Sequence, residues 1–308
     1  MPSPTASVIV GTYNCAAFLP GLWACLDAQT FRDFEIVVVD DASTDGETIR
    51  ALEAMGDRIR LIRRERNSAT CELPRYQGVK AARTDLCAFL DADDRWDPAF
   101  LETTVSYMQA HPEVALVHTY ARVIDGQDRV QRIRHEGNVP VGDRVARQLL
   151  EHCFITISAV VARRTSWLEA LAESEITDFG MDQDFFLAIA TRRPIGFIPE
   201  ALASYRRSEA SVSVKKWKRA PRNVNTLERI LRKGMYAGLA TDAEMKAILR
   251  GAYRENAEFW RNAVEPRRAL WFCAQGLRRF PIDAPLWIST LKSLIRLPTD
   301  HRAPVIGH

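Results

Sequence analysis

A chain of 308 residues with 47% hydrophobic and 26% charged side chains has the length of about two domains and the composition of an ordinary globular protein, which excludes a disordered or fibrous chain. No apolar run reaches the roughly eighteen residues needed to span a bilayer, and the first residues lack the basic stretch and long apolar run of a signal peptide. The net charge of +3 is uneven, because residues 215–233 hold eight Lys and Arg against Glu228 alone, a local +7 that leaves −4 for the rest.

The six cysteines form no C-x-x-C pair and have no His at finger spacing, so neither a zinc site nor a disulfide framework is expected. Free, buried thiols in a reducing cytoplasmic compartment are the expectation instead.

Along the first two hundred residues, short β-rich runs alternate with helical patterns, which predicts βαβ units and a mostly parallel sheet with flanking helices. Ser7-Val8-Ile9-Val10 is the first strand, and Leu19, Leu22, Trp23 and Leu26 mark a helix over residues 16–29. The run Glu35-Ile36-Val37-Val38-Val39-Asp40 predicts a central strand covered on both faces. Ser43 is expected to cap a helix opened by Gly46 and Glu47, and residues 59–62 make a third strand. A helix over 73–82, a buried strand at 87–90, a helix opened by Pro98 and running to 110, and a strand over 114–120 follow. Residues 155–162 are strand-like and 181–191 helical; beyond Val214 only helical spacing remains. The expected division is therefore a catalytic-type domain over 1–214 and a helical region over 215–308.

In an open parallel sheet, ligands bind outside the carboxyl ends of the strands. Here those ends carry Gly11-Thr12-Tyr13-Asn14, Asp40-Asp41-Ala42-Ser43-Thr44-Asp45 and Asp91-Ala92-Asp93-Asp94. Asp and Ser also cap helices and populate turns, which is the preferred reading of Ser43 and Asp45. Three acids in the four residues 91–94 repel one another and call for a cation or many donors. Mg²⁺ or Mn²⁺ suits such a site, held by one or two carboxylates plus diphosphate oxygens and water. No G-x-G-x-x-G follows the first strand and no G-x-x-x-x-G-K-[ST] occurs, which excludes the usual dinucleotide and P-loop designs.

With Val8-Ile9-Val10-Gly11-Thr12-Tyr13-Asn14, Phe34-Glu35-Ile36-Val37-Val38-Val39-Asp40-Asp41-Ala42-Ser43 and Phe89-Leu90-Asp91-Ala92-Asp93-Asp94 in this order, the sequence resembles the family 2 glycosyltransferases of the GT-A fold over residues 5–210. That resemblance implies an α/β, Rossmann-like domain and an inverting transfer of sugar from a nucleoside diphosphate donor, UDP-linked by expectation. The acceptor would be a hydroxyl of a saccharide or a lipid-linked glycan. It places Gly11, Tyr13, Asn14, Asp40, Arg75, Asp91 and Ala92 around the nucleotide, with the Tyr13 ring on the base, Asp40 hydrogen-bonded to it and Asp91 near the ribose. Asp93 would ligate Mn²⁺ or Mg²⁺ on the diphosphate. Asp182, in Met181-Asp182-Gln183-Asp184, is similar to the family's catalytic base, and Met181 stands where the family usually has Glu. The stretch 204–213, Ser-Tyr-Arg-Arg-Ser-Glu-Ala-Ser-Val-Ser, looks like a loop that closes over the donor, with Ser208 where many members have His.

A solvated helix cation is the competing reading of Arg75. For Asp182 it is a helix cap, with Asp178 an alternative cap. On a helix Asp182 and Asp184 point about 200° apart; Asp182 lies about 60° from the expected buried face and Asp184 about 100° from it on the other side. A non-catalytic nucleotide-sugar-binding or scaffold protein is the alternative to an enzyme, and nucleic acid is not expected as a partner. For the C-terminal region, Trp287, Ile288, Leu291, Leu294 and Ile295 form an apolar stripe beside Lys292 and Arg296. Packing of that stripe on the catalytic domain or on a second subunit is the preferred reading. The basic run is the better candidate for peripheral contact with the inner face of a membrane.

Overall fold

The computed structural model describes residues 4–142, 144–172, 182–207 and 224–295. Two compact units are present, residues 1–215 and 216–308. Nine strands among the described residues build the sheet of the first unit: β1 (Ala6–Thr12), β2 (Phe34–Asp40), β3 (Arg60–Arg63), β4 (Leu86–Phe89), β5 (Arg95–Trp96), β6 (Leu116–Ile124), β7 (Val130–Arg134), β8 (Val160–Arg163) and β9 (Ile195–Arg206). Their order is β3-β2-β1-β4-β8-β6-β9-β5, with β7 paired to β6.

The β3-β2-β1-β4 half is parallel, as the alternation of strands and helices requires. The sheet as a whole is mixed, because β8 runs antiparallel to both β4 and β6, and β5 runs antiparallel to β9. A strand's own residues record which faces are buried, not the direction of its neighbour, so the mixed half could not be read from periodicity. Val8, Ile9 and Val10 are all buried, as are Val37, Val38 and Val39. Alternate side chains point to opposite faces, so both faces of these central strands are covered.

Around the sheet lie α1 (Leu19–Asp27), α2 (Gly46–Glu53), α3 (Glu72–Ala81), α4 (Phe100–Ala110), α5 (Arg144–Leu149), α6 (Arg164–Ala172) and α7 (Asp182–Ala190). Helix α2 is capped by Asp45, whose carboxylate accepts the Thr48 N–H at 2.5 Å. The expected cap, Ser43, instead donates its hydroxyl to Asp40. Helix α3 lies directly on β1 because residue 78 is Gly: a Cβ there would meet Ile9 Cγ2 at 2.5 Å. That close approach sets the height of Arg75, one turn earlier, above the end of β1.

Three strands, β5, β7 and β9, were not expected; in β7, Gln131, Arg132 and Arg134 leave little apolar alternation. β5 has only two residues, too few to show alternation. β9 contains Pro199 and pairs with β6 through register shifts at Thr119, Tyr120 and Ala121, which breaks the period-two pattern that marks a strand. Ser204, Tyr205 and Arg206 thus end a strand rather than begin a loop. Ser208 and the rest of that stretch, Met181 and Asp178 lie outside the described residues.

The second unit contains α8 (Val224–Lys233), α9 (Asp242–Asn262), α10 (Pro266–Arg279) and α11 (Ala284–Leu294). Helix α9 starts in a reciprocal cap, Thr241 with Glu244. Among the described residues, no helix is long and apolar enough to cross a membrane.

Candidate active site

The carboxyl ends of β1, β2 and β4 meet along one rim of the sheet. A cleft of about 510 Å³ opens beside the ends of β1, β2 and β3, lined among others by Tyr13, Asp40, Ser43, Thr44, Arg64 and Asn67, a volume in the range of small-molecule sites. Tyr13 is 48% exposed at its mouth and offers a ring face to a ligand. Gly11 pairs with Val39, and a Cβ on it would touch only Pro74 Cβ at 3.5 Å, so packing alone does not demand glycine there.

Several rim residues hold one another. Asn14, at φ 45°, accepts the N–H groups of Thr44 and Asp45 on Oδ1 at 2.8 and 3.1 Å, tying the end of β1 to the loop before α2. Asp40 Oδ1 accepts the hydroxyls of Thr12 and Ser43 at 3.2 and 2.5 Å. Asp41 accepts Arg64 at 2.6 Å and the Ser68 N–H and hydroxyl at 3.0 and 2.7 Å. These bonds order the glycine-free stretch 68–73, in which Ala69 takes the left-handed conformation at φ 57°.

The turn after β4 is different. The Asp91 N–H donates to the Ser158 hydroxyl at 3.1 Å, and Ala92 is buried. Arg75, only 4% exposed, is not the solvated helix cation that its position on α3 allowed. Its Nη2 donates to both oxygens of Asp91 at 2.7 and 2.9 Å, and its Nη1 to Glu72 at 2.7 Å and to Asp182 at 3.0 Å. One guanidinium therefore gathers carboxylates from three places in the chain. Burial above all, and then the charge of Asp182, pushes the Glu72 carboxyl well above the usual carboxylate range, which favours its protonated form.

Asp182 stands in the first turn of α7 with its side chain one-third exposed, at 33%. Asp184, expected about 100° from the packed face, is buried instead. Helix α7 is covered nearly all round from Gln183 to Ile189, so a projection onto a single buried face does not apply to it.

Burial, and then the neighbouring Asp91 charge, pushes Asp93 up to about 6. Asp94 is buried and its pKa is pushed well up by burial and by both neighbours. Arg206, at the end of β9, locks this turn: its N–H donates to Asp94 Oδ1 at 2.7 Å, its Nε to the Asp93 carbonyl at 2.7 Å and its Nη1 to the Asp125 carbonyl at 2.8 Å. It also pairs with Asp128. Among the described residues, no three His, Cys, Asp or Glu side chains are arranged to hold a metal. The donor set still fits a hard dication. Arg75 takes both oxygens of Asp91, which leaves Asp93 as the carboxylate of the D-x-D whose ionisation is opposed by burial and by its neighbour. A hard dication held by Asp93 would need diphosphate oxygens and water as its further donors.

Glu72 and Arg206 escaped sequence reasoning. The cue for Glu72 was its charge three residues before Arg75, the spacing of a helical ion pair. For Arg206 it was the Tyr-Arg pair, whose strand was not recognised.

The sequence pattern of the family described as glycosyl transferase family 2 matches residues 7–172. The chain belongs to this family. Among curated relatives, the Escherichia coli protein named UDP-Glc:alpha-D-GlcNAc-diphosphoundecaprenol beta-1,3-glucosyltransferase WfgD is 27% identical over 234 residues, 72% of this chain and 84% of that one. The chain spans only 50% and 14% of the length of two other curated relatives it matches. The fold is that of S. aureus TarS, solved as residues 1–349 with UDP-GlcNAc: TM-score 0.65, 19% identity, 95% of this chain and 89% of that one. A mannosyltransferase from Pyrobaculum calidifontis, solved with GDP-Man and Mn²⁺, gives a TM-score of 0.59 at 19% identity, covering 96% of this chain and 86% of that one. Mixed sheet, flanking helices and a helical C-terminal region are thus the GT-A architecture expected for a family 2 chain.

Proposed function

We propose that this family 2 chain is an inverting glycosyltransferase that moves a sugar from a nucleoside diphosphate donor, UDP-linked, to a hydroxyl of a saccharide or lipid-linked acceptor. The observation that carries the reading is the Arg75 clamp: it brings Asp182 within hydrogen-bond reach of the guanidinium that also grips Asp91. A donor-side acid and an acceptor-side acid, far apart in sequence, are held at one point of the rim.

The proposed roles divide along the rim. The Tyr13 ring packs on the base, and the wall around Asp40 and Asn14 shapes the nucleoside end of the cleft. Asp91, fixed by Arg75, faces the ribose. Asp182 is exposed enough to meet an acceptor, and its carboxylate takes the proton from the acceptor hydroxyl as that oxygen attacks the anomeric carbon opposite the departing diphosphate. Arg75 keeps Asp182 from swinging away, and Glu72, favoured in its protonated form, limits the excess negative charge around the pair. Mn²⁺ or Mg²⁺ bound through Asp93 would offset the charge of the leaving diphosphate. A lipid-linked acceptor would bring the chain to the cytoplasmic face of a membrane. Six unbridged cysteines fit a reducing compartment.

The test is a transfer assay over a panel of UDP-sugars with GDP-mannose as the control donor, read by NMR of the product anomer, with and without chelator. Inverted product from a UDP-sugar, lost in EDTA and restored by Mn²⁺, is expected. Retained configuration removes the single-base mechanism, and full turnover in EDTA removes the metal role of Asp93.

A further inference from the structure

Helix α11 is inverted with respect to the usual amphipathic rule. Its buried side chains are Leu286, Ser289 and Ser293. Its apolar row, Trp287, Ile288, Leu291, Leu294 and Ile295, is between 48% and 84% exposed. The stripe does not pack inward on the helices of its own unit. The rotation is fixed from inside: Leu286 Cδ1 sits where a Cβ on Gly276 of α10 would approach to 2.8 Å, and the Ser289 hydroxyl accepts Arg261 of α9 at 2.8 Å. Turning the helix to bury the stripe would break these contacts.

The apolar exposure is concentrated. Of the eleven large hydrophobic side chains that the described residues expose, eight lie between Val264 and Ile295, including Trp271 on α10. Such a cluster marks an interaction surface rather than ordinary scatter.

Charge decides what the surface takes. From Pro266 to Ile295 the cations Arg267, Arg268, Arg278, Arg279 and Lys292 are exposed. The lone carboxylate of that span, Asp283, is buried and held by Arg254. A second copy of the chain would set these cations against their equals. An anionic surface would neutralise them while the apolar row and the tryptophans found the depth they favour, at the boundary of headgroups and acyl chains.

We propose that the exposed face of α11, with the cations and Trp271 of α10, is a docking surface for an anionic lipid bilayer. The surface stands on its own observations and does not require a lipid-linked acceptor.

The experiment uses the full chain in flotation with vesicles of phosphatidylcholine mixed with phosphatidylglycerol, against phosphatidylcholine alone. Binding to the mixed vesicles is expected, with a roughly tenfold or greater loss of partitioning in Ile288→Ser with Leu291→Ser. Trp271→Gln with Arg278→Gln is the second pair, should the first fail to fold, and a clear loss is expected there too. Donor turnover by both pairs should match the unaltered chain, which separates this surface from the catalytic reading. Absence of binding at low salt overturns the proposal. So does wild-type binding by folded variants, which would leave the attraction to the basic run alone. Self-association of the unaltered chain without lipid, abolished by the substitutions, would assign the face to a second copy and overturn it equally.

Discussion

Two strand ends on either side of β1, after β2 and after β4, both carry runs of aspartates, and the fold treats them in opposite ways. After β2, Asp40 and Asp41 receive donors from Thr12, Ser43, Arg64 and Ser68, all within the chain. After β4, Asp93 is pushed toward its protonated form by burial and then by Asp91, and Asp94 by burial and then by Asp93 and Asp91. A carboxylate whose donors come from its own chain builds a loop. A carboxylate crowded by others is a liability in the free protein that a bound cation relieves. On the proposed reading, the contrast separates acids that shape the cleft from acids that act in it.

The contrast predicts a graded set of losses. Asp182→Asn should reduce turnover by about three orders of magnitude, the usual weight of a positioned base, while the melting temperature stays near that of the parent. Asp184→Asn is the control: Asp184 is buried, so its loss should show in thermal unfolding, with turnover surviving in the folded fraction. Equal turnover defects in the two variants would break the assignment.

Arg75→Met leaves Glu72, Asp91 and Asp182 without their shared cation and should cost about 3 kcal/mol or more of stability together with activity. Glu72→Gln, by contrast, should be tolerated near neutral pH, because the carboxyl it replaces is favoured in its protonated form. A large defect in Glu72→Gln would mean that the ionised form is needed.

Asp93→Asn should make the metal-free protein more stable while raising the Mn²⁺ concentration needed for activity. The sign follows from a folded pKa of about 6 against the ordinary 3.8. Folding is helped by the protonated form below the lower value, and that help is lost as pH rises through the upper one. Above pH 6 the free protein carries a penalty of order 3 kcal/mol at most, which Asn removes. Urea unfolding at pH 5 and 8 in chelator measures it: the gap between Asn variant and parent should widen at pH 8.

The smallest effect is expected after β2. Asp41→Asn weakens the anchor of residues 64–68 by roughly 1 to 2 kcal/mol. Donor KM should rise several-fold with kcat little changed. A change in kcat alone would place Asp41 with the acting acids and erase the distinction.

The first half of the sheet, its rim and the helices α2 and α3 were legible because continuous β-branched runs and helical spacing carry their own signal. What escaped depended on partners distant in sequence. β9 was hidden by Pro199 and its register shifts, and the antiparallel insertion of β8 has no signature within its own four residues. The clamp on Arg75 joins residues 16 and 107 positions away, and no local pattern announces such a meeting. Ser43 and Asp45 were both plausible caps, and only the hydrogen bonds distinguish them. On α11 the apolar spacing was plain, but its outward direction was set by Ser289 and Gly276, residues with no place in a hydrophobic pattern.

The Arg206 amide, pointed at Asp94 while its neighbour Arg207 completes the ladder to Ile124, gives the molecule a built-in gauge. Its exchange with deuterated solvent requires the acidic turn to let go, whereas exchange at Arg207 requires the strand to separate from β6. The ratio of the two rates therefore counts openings of the turn against fraying of the sheet. A nucleotide sugar that settles on the rim should slow the first clock and leave the second running.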